Sequence, residues 1–197
     1  GRLVVGVGVG WLEEEFEALD AKPFRERGKV TDECLRIFKA LWTEETPSFS
    51  GDYYNFEPLQ FAPKPIQEPG PPIWVGGQSR AAIRRVVRYG DAWHPVGANP
   101  ASPLEPDTLA TEIEYMGSFC EKTGRNMSEI TIAMKAPVYD REVTTEGGRR
   151  RFSGEPDQII EDVNTYAEVG VSHLILDTRS SDLNKFFEKM DWLAEEV

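Results

Sequence analysis

Five short, almost uninterrupted apolar runs alternate along this chain with longer stretches of helical period. The runs are Arg2–Val9, Ile73–Val75, Ala92–Pro95, Thr131–Val138 and His173–Asp177. Helical patterns follow them at about Val30–Trp42, Ser79–Tyr89, about Thr108–Lys122, about Pro156–Glu168 and from about Asp182. Runs such as Leu3-Val4-Val5 and Leu174-Ile175-Leu176 lack an in/out alternation. They suit a parallel sheet covered on both faces. Gly90, Gly124 and Gly170 sit where helices should stop, and Pro156 suits a first helical position. Repeated βα units mean a doubly wound sheet or a barrel.

Two segments interrupt the repeat. Residues 47–72 are rich in proline and hold Ser50-Gly51-Asp52 between Phe49 and Tyr53-Tyr54-Asn55-Phe56, which predicts an inserted hairpin. Residues 140–151 are polar and charged and read as a mobile loop. The chain also begins inside a strand. Five units fall short of the eight that close a barrel of about 250 residues. We therefore expect one barrel domain over residues 1–197 with the first three βα units missing, and keep a self-contained doubly wound domain as the competing account.

The 197 residues include 40% hydrophobic ones, enough for a substantial core, and carry a formal charge of −12. Such an acidic chain is not expected to bind nucleic acid or an anionic membrane surface. No apolar run approaches the roughly 18 residues of a membrane span, and no signal peptide opens the sequence. Cys34 and Cys120 read as reduced thiols of a cytoplasmic protein. With two histidines and no clustered ligands, no metal site is expected.

The chemistry gathers at Pro72-Ile73-Trp74-Val75-Gly76-Gly77-Gln78-Ser79. A strand that turns through glycines into a helix start presents backbone N–H groups and the positive end of a helix dipole to an anion. The same residues also suit an idle turn with a serine cap, or a hydrolase elbow with Ser79 as nucleophile. Against the elbow, Ala81 stands where a glycine belongs. Gly6, Gly8 and Gly10 share one strand face, which allows either close helix packing or room for a flat ring. Trp11, Trp93 and His94 follow strand ends, where barrel active sites lie, and His94 is a weak candidate for proton transfer. Arg80, Arg84 and Arg88 form a helical stripe, and Arg149-Arg150-Arg151 a second basic cluster. Each suits a solvated surface or contact with an anionic tail. The acids Glu13, Glu14, Glu15 and Glu17 read as dipole-favoured surface.

The ordered set of motifs resembles the bacterial-luciferase-like flavin-dependent oxidoreductases. It consists of Gly6-Val7-Gly8-Val9-Gly10-Trp11, Glu15-Phe16-Glu17-Ala18-Leu19, Arg27-Gly28, Asp32-Glu33 and Leu41-Trp42, followed by Phe49–Tyr54, Pro63-Lys64-Pro65, Pro72–Gly77, Gly90–Trp93, Gly154-Glu155-Pro156 and Gly170-Val171. The resemblance leans to the branch that uses the deazaflavin coenzyme F420, and it covers the C-terminal two-thirds of the family's length. It implies a (β/α)8 TIM barrel, F420 (alternatively FMN) as cofactor, and hydride transfer to or from a small organic substrate. It further implies cofactor contacts at Gly10, Trp11, Gly76, Gly77, Gln78 and Ser79, and a homodimer. Trp11 stands where some relatives carry an acid, and Glu155 where Ser or Thr is common, so that helix end is not expected to hold phosphate. A non-catalytic flavin-binding or barrel-partner protein is the remaining alternative.

Overall fold

The computed structural model describes residues 1–98, 101–139, 144–145 and 148–197. They form two compact units, 1–92 and 93–197.

In the first unit, strand β1 (Val5–Val7) leads through α1 (Glu13–Ala18) to α2 (Arg27–Thr43). A short ribbon follows, with β2 (Phe49–Ser50) antiparallel to β3 (Asn55–Phe56) inside the 47–72 segment. Then come β4 (Ile73–Gly76) and α3 (Arg80–Tyr89). β1 and β4 are parallel, with Val5 beside Ile73 and Val7 beside Val75. β1 is shorter than the apolar run suggests because Leu3 bonds elsewhere. Its N–H donates to Oε1 of Gln67 and its carbonyl accepts from Nε2 of Gln67. α3 buries Ala82, Ile83, Val86 and Val87 on one face. Burying such side chains contributes roughly 1.5–3 kcal/mol for each large one. The buried Arg85 ties α3 to α2 through Asp32 and the Gly28 carbonyl. α3 stops at Gly90 through close packing rather than a left-handed turn: a β-carbon there would lie 3.0 Å from Val75 Cγ2.

The division between the units falls within β5 (Ala92–His94). Beyond it lie α4 (Pro106–Thr123), β6 (Thr131–Pro137), a ribbon of β7 (Thr144–Thr145) and β8 (Gly148–Arg149), α5 (Pro156–Glu168), β9 (His173–Asp177) and α6 (Leu183–Glu196). β6 and β9 are parallel over five pairs, from Ala133 beside His173 to Pro137 beside Asp177. The chain just past β5 joins β6 through a parallel bridge, Val96 beside Lys135. The core of this unit holds Trp93, Leu109, Met116, Met134, Phe152, Ile159 and Tyr166. Phe152 stacks on Tyr166 with ring centroids 5.4 Å apart, and the Tyr166 hydroxyl donates to the Leu104 carbonyl.

Part of the 140–151 segment expected to be a mobile loop, residues 140–143 and 146–147, lies outside the described residues. Two of the remaining residues have a buried partner. Arg149 and Arg151 both donate to the fully buried Asp162 of α5, at 2.7 Å and 2.8 Å, and Phe152 N–H donates to the same carboxylate at 2.7 Å. The basic cluster is therefore internal structure at Arg149 and Arg151.

Burial pushes the Asp162, Glu33 and Asp177 carboxyls up, but hydrogen bonds from cations and backbone N–H groups pull all three below the usual carboxylate range. A carboxyl depressed in the folded state contributes stability above its unfolded pKa and loses it as pH falls through the folded value. Thermal denaturation should therefore show a melting temperature that is steady from pH 6 to 5 and falls once pH drops below about 4. A fall beginning above pH 5 would contradict the assignment.

Candidate functional site

The turn at the end of β4 is built by local chemistry. Gly77 adopts φ +104°, a left-handed conformation that disfavours side chains, and a β-carbon there would sit 3.3 Å from Ala82 Cβ. Ser79 is the N-cap of α3, and its Oγ accepts from Ala82 N–H at 3.2 Å. That leaves the hydroxyl proton available to donate outward. Gly77 and Ser79 are both exposed, at the positive end of a ten-residue helix. Arg80, Arg84 and Arg88 continue along α3. The arrangement can hold an oxyanion through backbone N–H groups with Ser79 as an additional donor.

The glycine strand divides into two roles. A β-carbon on Gly6 or Gly8 would meet nothing within 4 Å, so close helix packing does not explain them. They leave an open, side-chain-free surface. Gly10 is different: at φ +83° its β-carbon would lie 2.5 Å from the Phe16 ring, so it lets the chain turn tightly over Phe16. Trp11 next to it is 83% exposed. Behind this loop lies a cavity of about 530 Å³ walled by Gly8, Gly10, Phe16, Lys22, Arg27 and Tyr54.

Glu33 carries no signal of its own in the sequence, yet it fixes the Tyr54 wall. Its buried carboxylate accepts the N–H groups of Asp52, Tyr53 and Tyr54 at 2.9, 3.0 and 2.6 Å. Asp32-Glu33 was visible only as part of the family resemblance, because a helix acid looks like any surface acid. Replacing Glu33 by Ala strands these N–H groups and should destabilise the fold by about 2–3 kcal/mol. Chemical denaturation checks this, with a loss below about 0.5 kcal/mol as the contrary result.

In the second unit, Trp93 is fully buried within β5 and packs the core, so it is not a rim residue open to a ligand. His94 Nδ1 lies 2.5 Å from the Ala133 carbonyl. A carbonyl only accepts, so Nδ1 carries the hydrogen and Nε2 is the basic nitrogen of the neutral ring. His173 opens β9, at the end opposite the strand's C-terminus. At α5, Glu155 and Gln158 form a capping box, with Gln158 Oε1 accepting Glu155 N–H at 2.9 Å. The Glu155 carboxylate thus occupies the place of an anion there. Ser79 has the ordinary extended backbone of a cap (φ −69°, ψ 150°), not the strained geometry of a nucleophile elbow.

The family model for luciferase-like monooxygenases matches residues 1–146. The FMNH2-dependent dimethylsulfone monooxygenase of Pseudomonas putida is 39% identical over 108 residues, which is 53% of this chain and 29% of that protein. The F420-dependent glucose-6-phosphate dehydrogenase of Nakamurella multipartita is 25% identical, over 94% of this chain and 65% of its own length. The chain thus spans less than two-thirds of either relative. Among solved structures, an F420-dependent secondary alcohol dehydrogenase in complex with an F420–acetone adduct superposes with a TM-score of 0.78 at 19% identity, covering 100% of this chain and 69% of that one. Its likeness gives the chain the fold of part of a luciferase-like (β/α)8 barrel, five of whose βα units are present here. The hydrolase alternative falls with that fold and with the unstrained backbone of Ser79. Since the family model covers most of its residues, the chain belongs to the luciferase-like monooxygenase family.

Proposed function

We propose that this chain belongs to an oxidoreductase that uses F420, with FMN as the alternative, and moves hydride between the cofactor and a small organic substrate. The observation that carries the reading is the turn from Gly76 to Ser79, where left-handed Gly77 and the capped start of α3 leave exposed backbone beside a helix N-terminus. A phosphate group of the cofactor would approach the main chain there, where exposed Gly77 presents no side chain. The bound cofactor supplies the hydride chemistry, and the protein supplies binding and orientation. Gly76, Gly77 and Gln78 hold phosphate through the main chain, and Ser79 adds its hydroxyl. The open face of Gly6 and Gly8 admits a flat ring, and Gly10 places Trp11 at its edge. His94 is the candidate to hold a proton, at Nε2.

The relatives support both cofactors, one being FMNH2-dependent and two F420-dependent. The preference for F420 rests on the Trp11–Leu19 signature. Calorimetric titration should give at least tenfold tighter binding of F420 than of FMN, a difference of about 1.4 kcal/mol. Equal or tighter FMN binding reverses the choice. No helix among the described residues is long and apolar enough to cross a membrane. A cytoplasmic homodimer is the form this reading takes for the enzyme.

A further inference from the structure

A second polar constellation lies on the sheet of the second unit. Residues paired side by side in a parallel register project to the same face, and the face alternates along each strand. Met134 projects toward the helices: a β-carbon on Gly97 would lie 3.0 Å from its Sδ and 3.4 Å from Leu104 Cβ, and Leu104 is tied to Tyr166 of α5. Lys135 therefore projects to the opposite face, which is the inner face in a barrel whose helices lie outside. Asp177 shares that face, since it pairs with Pro137, two residues along from Lys135. Both lie toward the C-terminal ends of their strands, where barrel enzymes place their chemistry.

Two cations meet one acid there. Lys135 Nζ lies 3.0 Å from Asp177 Oδ2, and Arg179 Nε lies 2.7 Å from the same oxygen. Arg179 N–H also donates to Asp177, at 3.2 Å. Among the described residues, two cations share this carboxylate, an excess of one positive charge in a strongly acidic chain. The Asp177 side chain is 8% exposed and holds the Lys135 stem in place, while Lys135 itself remains 30% exposed. An ammonium group has three N–H donors, so Asp177 leaves two of them for another acceptor. Apolar neighbours flank Lys135 in the register, Val96 on one side and Ile175 on the other, and Val96 is 41% exposed.

We propose that Lys135, held by Asp177 and backed by Arg179, is a specificity-determining subsite for an organic anion, a substrate with an apolar body and a terminal oxyanion such as a carboxylate. The apolar body lies against Val96 and Ile175, and the oxyanion accepts from Lys135 Nζ. This inference rests on the proposed oxidoreductase reading for the identity of the ligand as substrate. The proposed function assigns the cofactor phosphate to other residues, those at the start of α3.

The test uses the full protein and two probes, benzoate and its neutral analogue benzamide, titrated by calorimetry at low salt. F420 is titrated in parallel. Benzoate should bind at least tenfold more tightly than benzamide to the wild type. Lys135→Met should remove that preference, Lys135→Arg should retain most of it, and F420 affinity should stay the same in both variants. Unchanged benzoate preference in Lys135→Met overturns the subsite. Loss of F420 affinity with benzoate preference intact also overturns it, and assigns the cluster to the cofactor. Failure of the wild type to bind either F420 or FMN overturns the oxidoreductase reading instead, and leaves the benzoate comparison as a separate result.

Discussion

Replacing Asp162 by Ala should destabilise the protein by about 3 kcal/mol, near the lower end of what removing one partner of a buried ion pair costs. Asp162 is fully buried and accepts from Arg149, Arg151 and Phe152 N–H. Its loss takes the shared carboxylate from two guanidinium groups, leaving Arg151 with Glu105 and Arg149 with backbone carbonyls, and strands the Phe152 N–H. The two arginines are only 24% and 33% exposed, so water replaces the carboxylate incompletely. The lower end of the range applies because that partial exposure lets each arginine recover some solvation. Phe152 adds to the effect. It holds a left-handed backbone, φ 56°, which side chains disfavour, and the Asp162 bond to its N–H helps hold it there. For a chain of this length the expected fall in melting temperature is about 6–12 °C. Asp162→Asn, which keeps one acceptor oxygen, should lose less. A change below about 0.5 kcal/mol for Asp162→Ala would mean that the cluster is surface charge after all.

Gly77→Val should weaken cofactor binding by tenfold or more, about 1.4 kcal/mol. Two separate effects act at this residue. The left-handed backbone at φ +104° penalises a β-branched residue by roughly 1–3 kcal/mol of folding stability. The new side chain would also stand at the start of α3, where the phosphate is to approach the main chain. Affinity therefore has to be measured on the folded fraction. Ser79→Ala separates the two contributions. It removes the cap, worth about 1 kcal/mol of stability, and leaves the backbone donors in place, so cofactor affinity should fall less than with Gly77→Val. Unchanged affinity in folded Gly77→Val would remove the turn from the cofactor site.

Local signals in the sequence carry through to the structure, and non-local ones do not. α5 and β9 begin and end where Pro156, Gly170 and the apolar run indicate, because a helix start, a helix stop and a buried strand each depend on neighbouring residues. The turn at Gly77 and Ser79 was legible for the same reason. β1 is trimmed to Val5–Val7 because strand length depends on what pairs, and Gln67, remote in sequence, takes the Leu3 backbone groups. Trp93 resembled a rim residue because its position after an apolar run says nothing about what covers it; in the fold it is wholly enclosed. Glu33 and Asp162 were invisible as organising residues. Their partners lie about ten to twenty residues away in loops, and only the fold brings them together. Lys135 and Asp177 become neighbours only once the register of β6 and β9 is known. Arg149-Arg150-Arg151 looked like mobile charge because composition cannot show that two of the three have a buried partner.

The most direct test is a structure of the full protein with F420 bound. A cofactor phosphate is expected there with its oxygens about 2.7–3.2 Å from backbone nitrogens of the turn between Gly76 and the start of α3. A phosphate bound elsewhere, with that turn left to solvent, would contradict this expectation.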